Sequence, residues 1–140
     1  MKTTFLTLLI ALLILSTSSF AQTSYRSIDI IIDNIQSNDG TLRIGLYKSE
    51  ESFLKKTYKS INVKAQKESV EVFFKDVEEG EYAISLYHDK DDNQKMNTFF
   101  KIPTEPYGVS NNAKGRFGPP KWEDAKFEVS DNKVTQRIML

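Results

Sequence analysis

Cysteine is absent from the 140-residue chain. Its absence excludes disulfide staples, a lipid-modified N-terminal cysteine, a thiol nucleophile and thiolate metal sites. Histidine occurs once, as His88, which excludes zinc centres assembled from several imidazoles. No charge of one sign dominates: 19 Lys and Arg stand against 19 Asp and Glu, a formal net charge of +0. The two signs are interspersed, so there is neither the basic field that nucleic acid needs nor a polybasic tail for a membrane surface. Nucleic acid is therefore set aside as a partner.

Long hydrophobic runs are missing too, with one exception at Phe5 to Leu15. That run is about half the length that a membrane-spanning helix requires. Lys2 precedes it, and Ser19-Phe20-Ala21 follows with small residues where a signal peptidase needs them. The expectation is a cleaved signal peptide over residues 1–21, a secreted or periplasmic product, and no membrane insertion after cleavage. Residues 22–140 then form one domain, large enough to bury roughly two thirds of its unfolded surface without staples.

What is present is alternation. Tyr25 to Ile35 places Ile28, Ile30 and Ile32 at every second position with Asp29 and Asp33 opposed, the pattern of a half-buried strand. Ser37-Asn38-Asp39-Gly40 follows, then Thr41 to Tyr47 with Leu42, Ile44 and Leu46, so a β-hairpin is expected. Ser49 to Lys56 opens on a possible cap and two acids and closes on two lysines, which suits one or two helical turns. Further strands are expected at 61–65, 69–75 and 82–88, and a closing hairpin from 125–129 and 134–140 about Asp131-Asn132. About seven short strands with almost no helix predict an all-β fold, an immunoglobulin-like or transthyretin-like β-sandwich, with a small barrel as the alternative.

All of this surrounds one irregular stretch, His88 to Trp122, which holds the only His, all four Pro and the only Trp. Loops of such length inside a compact domain are uncommon and are usually functional or disordered. Phe99, Phe100, Tyr107, Phe117 and Trp122 argue for order, with Tyr107, Phe117 and Trp122 expected to fold back over the open end of the sandwich.

Asp89, Asp91 and Asn93 put oxygen side chains at alternate positions, and hard cations such as Ca²⁺ collect about six to eight oxygens of this kind. The start resembles an EF-hand loop, but Gln94 stands where that loop needs Gly and Phe100 where it needs a bidentate Glu. A different calcium loop completed by Asn97 or a carbonyl remains open, against a plain polar turn whose side chains cap their own backbone. Ser110 with His88 offers a hydrolase alternative, weakened because Gly108-Val109-Ser110-Asn111-Asn112 has Asn where a nucleophile elbow needs Gly. Trp122 and Tyr107 offer a third alternative, a platform for a sugar ring or a partner chain.

The motif residues carry a resemblance. His88-Asp89, Asn93, Lys95, Ile102-Pro103, Tyr107-Gly108, Ser110-Asn111-Asn112, Gly118-Pro119-Pro120 and Ala125, with Gly80-Glu81-Tyr82-Ala83 upstream, resemble the hallmark of a family of secreted bacterial proteins, domain of unknown function 2141. Two positions depart from it: Asn97 stands where the family tends to have Asp, and Gln94 where it tends to have Gly. The resemblance implies a secreted β-sandwich and no activity. The expected function is a non-enzymatic binding or structural module for an extracytoplasmic protein or glycan, with the 88–122 loop as working surface. Its candidate ligand-binding residues are His88, Tyr107, Ser110, Asn111, Asn112 and Trp122. Asp89, Asp91, Asn93 and Asn97 are the candidate Ca²⁺ ligands, and no catalytic residue is assigned.

Overall fold

The computed structural model describes residues 26–140, so the expected signal peptide lies outside the described residues. The fold is all-β, with no barrel among the described residues. Ten strands form it: β1 (Arg26–Ile35), β2 (Thr41–Tyr47), β3 (Lys59–Lys64), β4 (Glu68–Val77), β5 (Gly80–Asp89), β6 (Thr98–Phe99), β7 (Ile102–Pro103), β8 (Tyr107–Val109), β9 (Phe127–Val129) and β10 (Lys133–Met139). One short helix, α1 (Trp122–Ala125), precedes β9, and a 3-10 turn covers Ser110–Asn112. The seven expected strands are all present. The additional three, β6, β7 and β8, arise inside the 88–122 segment, where no alternation announced them.

One sheet has the order β10-β1-β4, with β1 antiparallel to β4 and parallel to β10. A second has the order β3-β2-β5-β8, with β9 also on β5, and β6 and β7 pair as a separate two-stranded sheet. A strand has two edges. β2 occupies one edge of β5 along Ala83–Asp89, while β8 and β9 share the other, at Ser85–Tyr87 and at Gly80–Tyr82.

Two expected hairpins are corrected by this topology. β1 does not pair with β2, and β9 does not pair with β10; each connection crosses from one sheet to the other. Turn residues between two alternating strands specify a reversal of direction, not a partner. Each strand here has one apolar face. Placing those faces across a core from each other buries both, and β1 and β2 each find two other strands to satisfy their backbone groups. The apolar faces meet in one cluster that includes Ile28, Ile30 and Ile32 of β1, Leu42, Ile44 and Leu46 of β2, and Tyr82, Ile84 and Leu86 of β5. Burial of each such side chain contributes about 1.5–3 kcal/mol. On the outward face of β1, Asp29 and Asp33 pair with Lys133 and Arg137 of the parallel neighbour β10.

The expected helix at 49–56 is a hydrogen-bonded turn. Phe53 N donates to Ser49 O at 3.0 Å and Lys56 N to Ser52 O at 2.9 Å, but Leu54 at φ 58 breaks any continuation. Its purpose is visible on the outer face of the second sheet, where Phe53 packs edge-on against Tyr47 at 5.4 Å and Trp122 at 5.8 Å. With Ala83, Val109 and Ala125 these rings form a second, smaller core.

Candidate functional site

Alternation along β5 sends successive side chains to opposite faces. His88 ends the inward row of Tyr82, Ile84 and Leu86, whereas Asp89 ends the outward row where the long loop begins. Both are fully buried. His88 Nε2 lies 2.6 Å from the carbonyl oxygen of Asp39, an acceptor only, so Nε2 carries the proton in this contact. Nδ1 is buried with no hydrogen-bond partner among the described residues. The imidazole therefore ties the Asn38-Asp39-Gly40 turn to the end of β5.

Asp89 is the root of a polar knot. Its carboxylate accepts from Arg43 Nε at 2.5 Å, from Gln94 N at 2.9 Å and from Asn93 N at 3.1 Å. Burial opposes ionisation of Asp89, but the Arg43 guanidinium and the Gln94 amide outweigh it and hold the carboxyl below its usual range. The same hydrogen bond raises Arg43. Asp91 accepts from the side-chain amides of Asn93 and Asn97, each at 3.0 Å, and Asn93 also donates to Asn97 Oδ1 at 2.6 Å. All four candidate cation ligands are thus brought together.

Sequence reasoning missed a fifth member, Glu105. This buried carboxylate accepts from Lys90 N at 3.1 Å and Asn97 N at 2.9 Å, stapling the far side of the loop to its start. Carboxylate oxygens of Asp89, Asp91 and Glu105 lie within 4.8 Å of one another. The available signal was its isolation as the lone acid between Asp92 and Glu123, flanked by Pro103 and Pro106. Each ionised carboxylate has about four lone-pair directions, so although every oxygen already accepts a hydrogen bond, lone pairs remain to coordinate. Arg43 is the only ion-pair partner of the three among the described residues. Asp92 and Gln94 take φ 54 and φ 66, the left-handed kinks that wrap a short chain around a centre. Gln94 thus adopts the conformation that glycine reaches at less cost.

Beyond the knot the chain turns through the β6–β7 hairpin, returns along β5 as β8, and closes a cleft over the second sheet. Leu54, Met96, Ile102, Pro103, Tyr107 and Pro119 are among its lining residues, and its volume is about 420 Å³. That lies in the usual range for small-ligand sites. Tyr107 remains exposed at this cleft, whereas Trp122 is buried against Phe53. The expected burial of Phe117 is corrected: its ring is fully exposed, because the turn at 115–118 folds on itself and not onto the sheet.

The chain matches the model of a family described as "Uncharacterized protein conserved in bacteria (DUF2141)" over residues 30–137. It belongs to that family. The match runs from within β1 to within β10 and so takes in both sheets and the whole loop. No curated protein and no solved structure matches the chain.

In this DUF2141 chain the motif Ser110-Asn111-Asn112 fastens strands together. Ser110 is fully buried, accepts from Ile84 N at 2.9 Å and donates to Ala125 O at 2.5 Å. Asn111 donates to the carbonyls of Asp124 and Lys126, and Asn112 bonds Arg137 O and Met139 N on β10. Ser110 lies beside Ile84 and His88 is four residues further along β5, a strand rise of about 13 Å. The structure does not bring the two together, and each is bonded elsewhere. Replacing Ser110 with alanine is expected to cost about 2 kcal/mol by leaving the Ile84 amide buried without a partner. Urea unfolding measures it, and an unchanged midpoint would refute the fastening role.

Proposed function

We propose that this DUF2141 protein is a non-enzymatic binding or structural module working outside the cytoplasm, with the 88–122 loop as its working surface and one Ca²⁺ organising the root of that loop. The convergence of Asp89, Asp91 and Glu105 within 4.8 Å carries the reading. Three carboxylates against one guanidinium leave an excess of negative charge that a divalent cation would neutralise. Asn93 and Asn97, whose side-chain nitrogens donate to Asp91, carry the neutral amide oxygens that a hard-cation shell would take in. The site's place supports the reading as well, since Glu105 fastens the middle of the loop to its start beside Asp89, at the root of the segment that builds the cleft.

The finer architecture in this proposal is an immunoglobulin-like or transthyretin-like β-sandwich. Its support is the parallel β1–β10 pair, the otherwise antiparallel neighbours, and the crossings between sheets after β1 and β3. Export rests on the sequence of residues 1–21. No helix among the described residues is long and apolar enough to cross a membrane.

Calorimetric melting in EDTA and in millimolar Ca²⁺ tests the metal. The midpoint is expected to rise with Ca²⁺, since a ligand held at 100 times its dissociation constant stabilises by about 2.7 kcal/mol. Identical midpoints, with no binding heat in titration calorimetry, would remove the ion from the proposal. Amide exchange tests the surface: protection of loop amides such as Lys90, Asn93 and Asn97 is expected, and free exchange would remove it.

A further inference from the structure

The outer part of the loop combines three properties. Gln94 to Lys121 carries five cations, Lys95, Lys101, Lys114, Arg116 and Lys121, against one acid, the buried Glu105. All five cations are exposed, and none forms an ion pair among the described residues. Large apolar side chains stand out between them: Phe99 is 67% exposed, Phe100 84%, Ile102 67% and Phe117 100%. The third property is strain. Phe100 and Lys101 form the two-residue tip of the β6–β7 hairpin at φ 47 and φ 65, a geometry normally supplied by Asn-Gly. That tip lowers stability, and among the described residues the Phe100 ring meets only that of Phe99, at 4.6 Å. Strain held where it brings no packing marks a site selected for what it displays.

The two tips belong to one rim. Lys101, Ile102 and Pro103 line the cleft from one side and Gly118, Pro119 and Pro120 from the other, which sets Phe100 and Phe117 beside its opposite lips.

We infer that this rim docks on an anionic phospholipid surface, with Phe99, Phe100 and Phe117 entering the headgroup and acyl boundary and the five cations meeting lipid phosphates. The inference rests on the loop being the working surface and names its partner. Charge complementarity selects the occupant, because juxtamembrane cations attract anionic leaflets and aromatic side chains between them anchor in the interface. Phe100 and Phe117 project from turns, which suits a soft planar partner better than a protein hot spot. The sequence spacing concealed the rim, since the 101–103 and 118–120 segments that line the cleft are far apart in the chain and meet only across it.

The protein purified after export would be sedimented with vesicles of phosphatidylglycerol and phosphatidylcholine, and with phosphatidylcholine alone. Binding is expected only to the anionic vesicles and is expected to weaken as salt is raised. The double variant Phe100→Ser, Phe117→Ser is expected to lower the partition coefficient about tenfold or more, and each of Lys101→Ala and Arg116→Ala about fivefold. The altered side chains are exposed, so melting midpoints should stay close to that of the unaltered protein. Absent binding, equal binding to both vesicle types, or variants that bind unchanged would each overturn the inference. So would a wild-type dimer abolished by the Phe variants without vesicle binding, which would make the rim a contact between copies. If vesicles are not bound while Ca²⁺ still raises the midpoint and loop amides stay protected, the lipid partner falls and the working-surface reading stands.

Discussion

Asp89→Ala is expected to lower the unfolding free energy at neutral pH by about 3–5 kcal/mol, because it strands a charge and several donors built around a buried carboxylate. Arg43 would lose its ion-pair partner, and the amides of Asn93 and Gln94 would lose the acceptor that shapes the loop's first turn. The effect carries a pH signature. The folded carboxyl titrates below its ordinary value, with burial opposed and outweighed by Arg43 and the Gln94 amide. Its ionised form therefore stabilises the fold above the unfolded value of about 4, and that contribution is lost as pH falls through the lower, folded-state value. Urea unfolding of both proteins from neutral pH down to about pH 2 should show the largest gap near neutrality and a shrinking one in acid. A gap near zero at neutral pH would mean that the knot contributes nothing.

Gly40→Ala is expected to cost about 3 kcal/mol, although the residue lies outside the loop. Gly40 takes φ 68, where an L side chain is strained, and its backbone lies against β5. An added Cβ would overlap the Asp89 carbonyl oxygen and sit 2.7 Å from Lys90 Cα, both backbone atoms that cannot swing aside. Relief would push the turn away from β5 and draw Asp39 O from His88 Nε2, leaving the imidazole with neither nitrogen bonded. Asp39→Ala is the control. Its side chain is exposed and the acceptor belongs to the main chain, so it should change stability by less than about 0.5 kcal/mol. Equal losses in the two variants would refute the close approach of the turn to β5.

These variants also mark where sequence reading succeeds. Asp39-Gly40 announced a turn correctly and its partners incorrectly. The turn dipeptide fixes local φ, whereas strand partners depend on which apolar faces can meet across the core. Three of the cation-ligand candidates, Asp89, Asp91 and Asn93, followed from alternate oxygen side chains within five residues. Glu105 did not, because its contribution comes from a fold-back through β6 and β7, a two-residue hairpin too short to have a period. Ser110 and His88 suggested chemistry by residue type, yet folding used each to bond backbone groups. Phe117 was expected inside because aromatic burial is favourable, but its ring projects fully into solvent from the turn that carries it.

The sequence alone determined an all-β chain without covalent staples, the positions of its seven alternating strands, and the 88–122 loop with its first acids. Alternation and composition act locally and leave their mark in adjacent residues. Only the tertiary structure decided which strands pair, that Glu105 joins Asp89 and Asp91, that Trp122 is buried while Phe100 and Phe117 protrude, and that the 101–103 and 118–120 segments line one cleft. Those outcomes depend on contacts between residues far apart in sequence, and such contacts are selected by the burial and hydrogen bonding of the whole chain together.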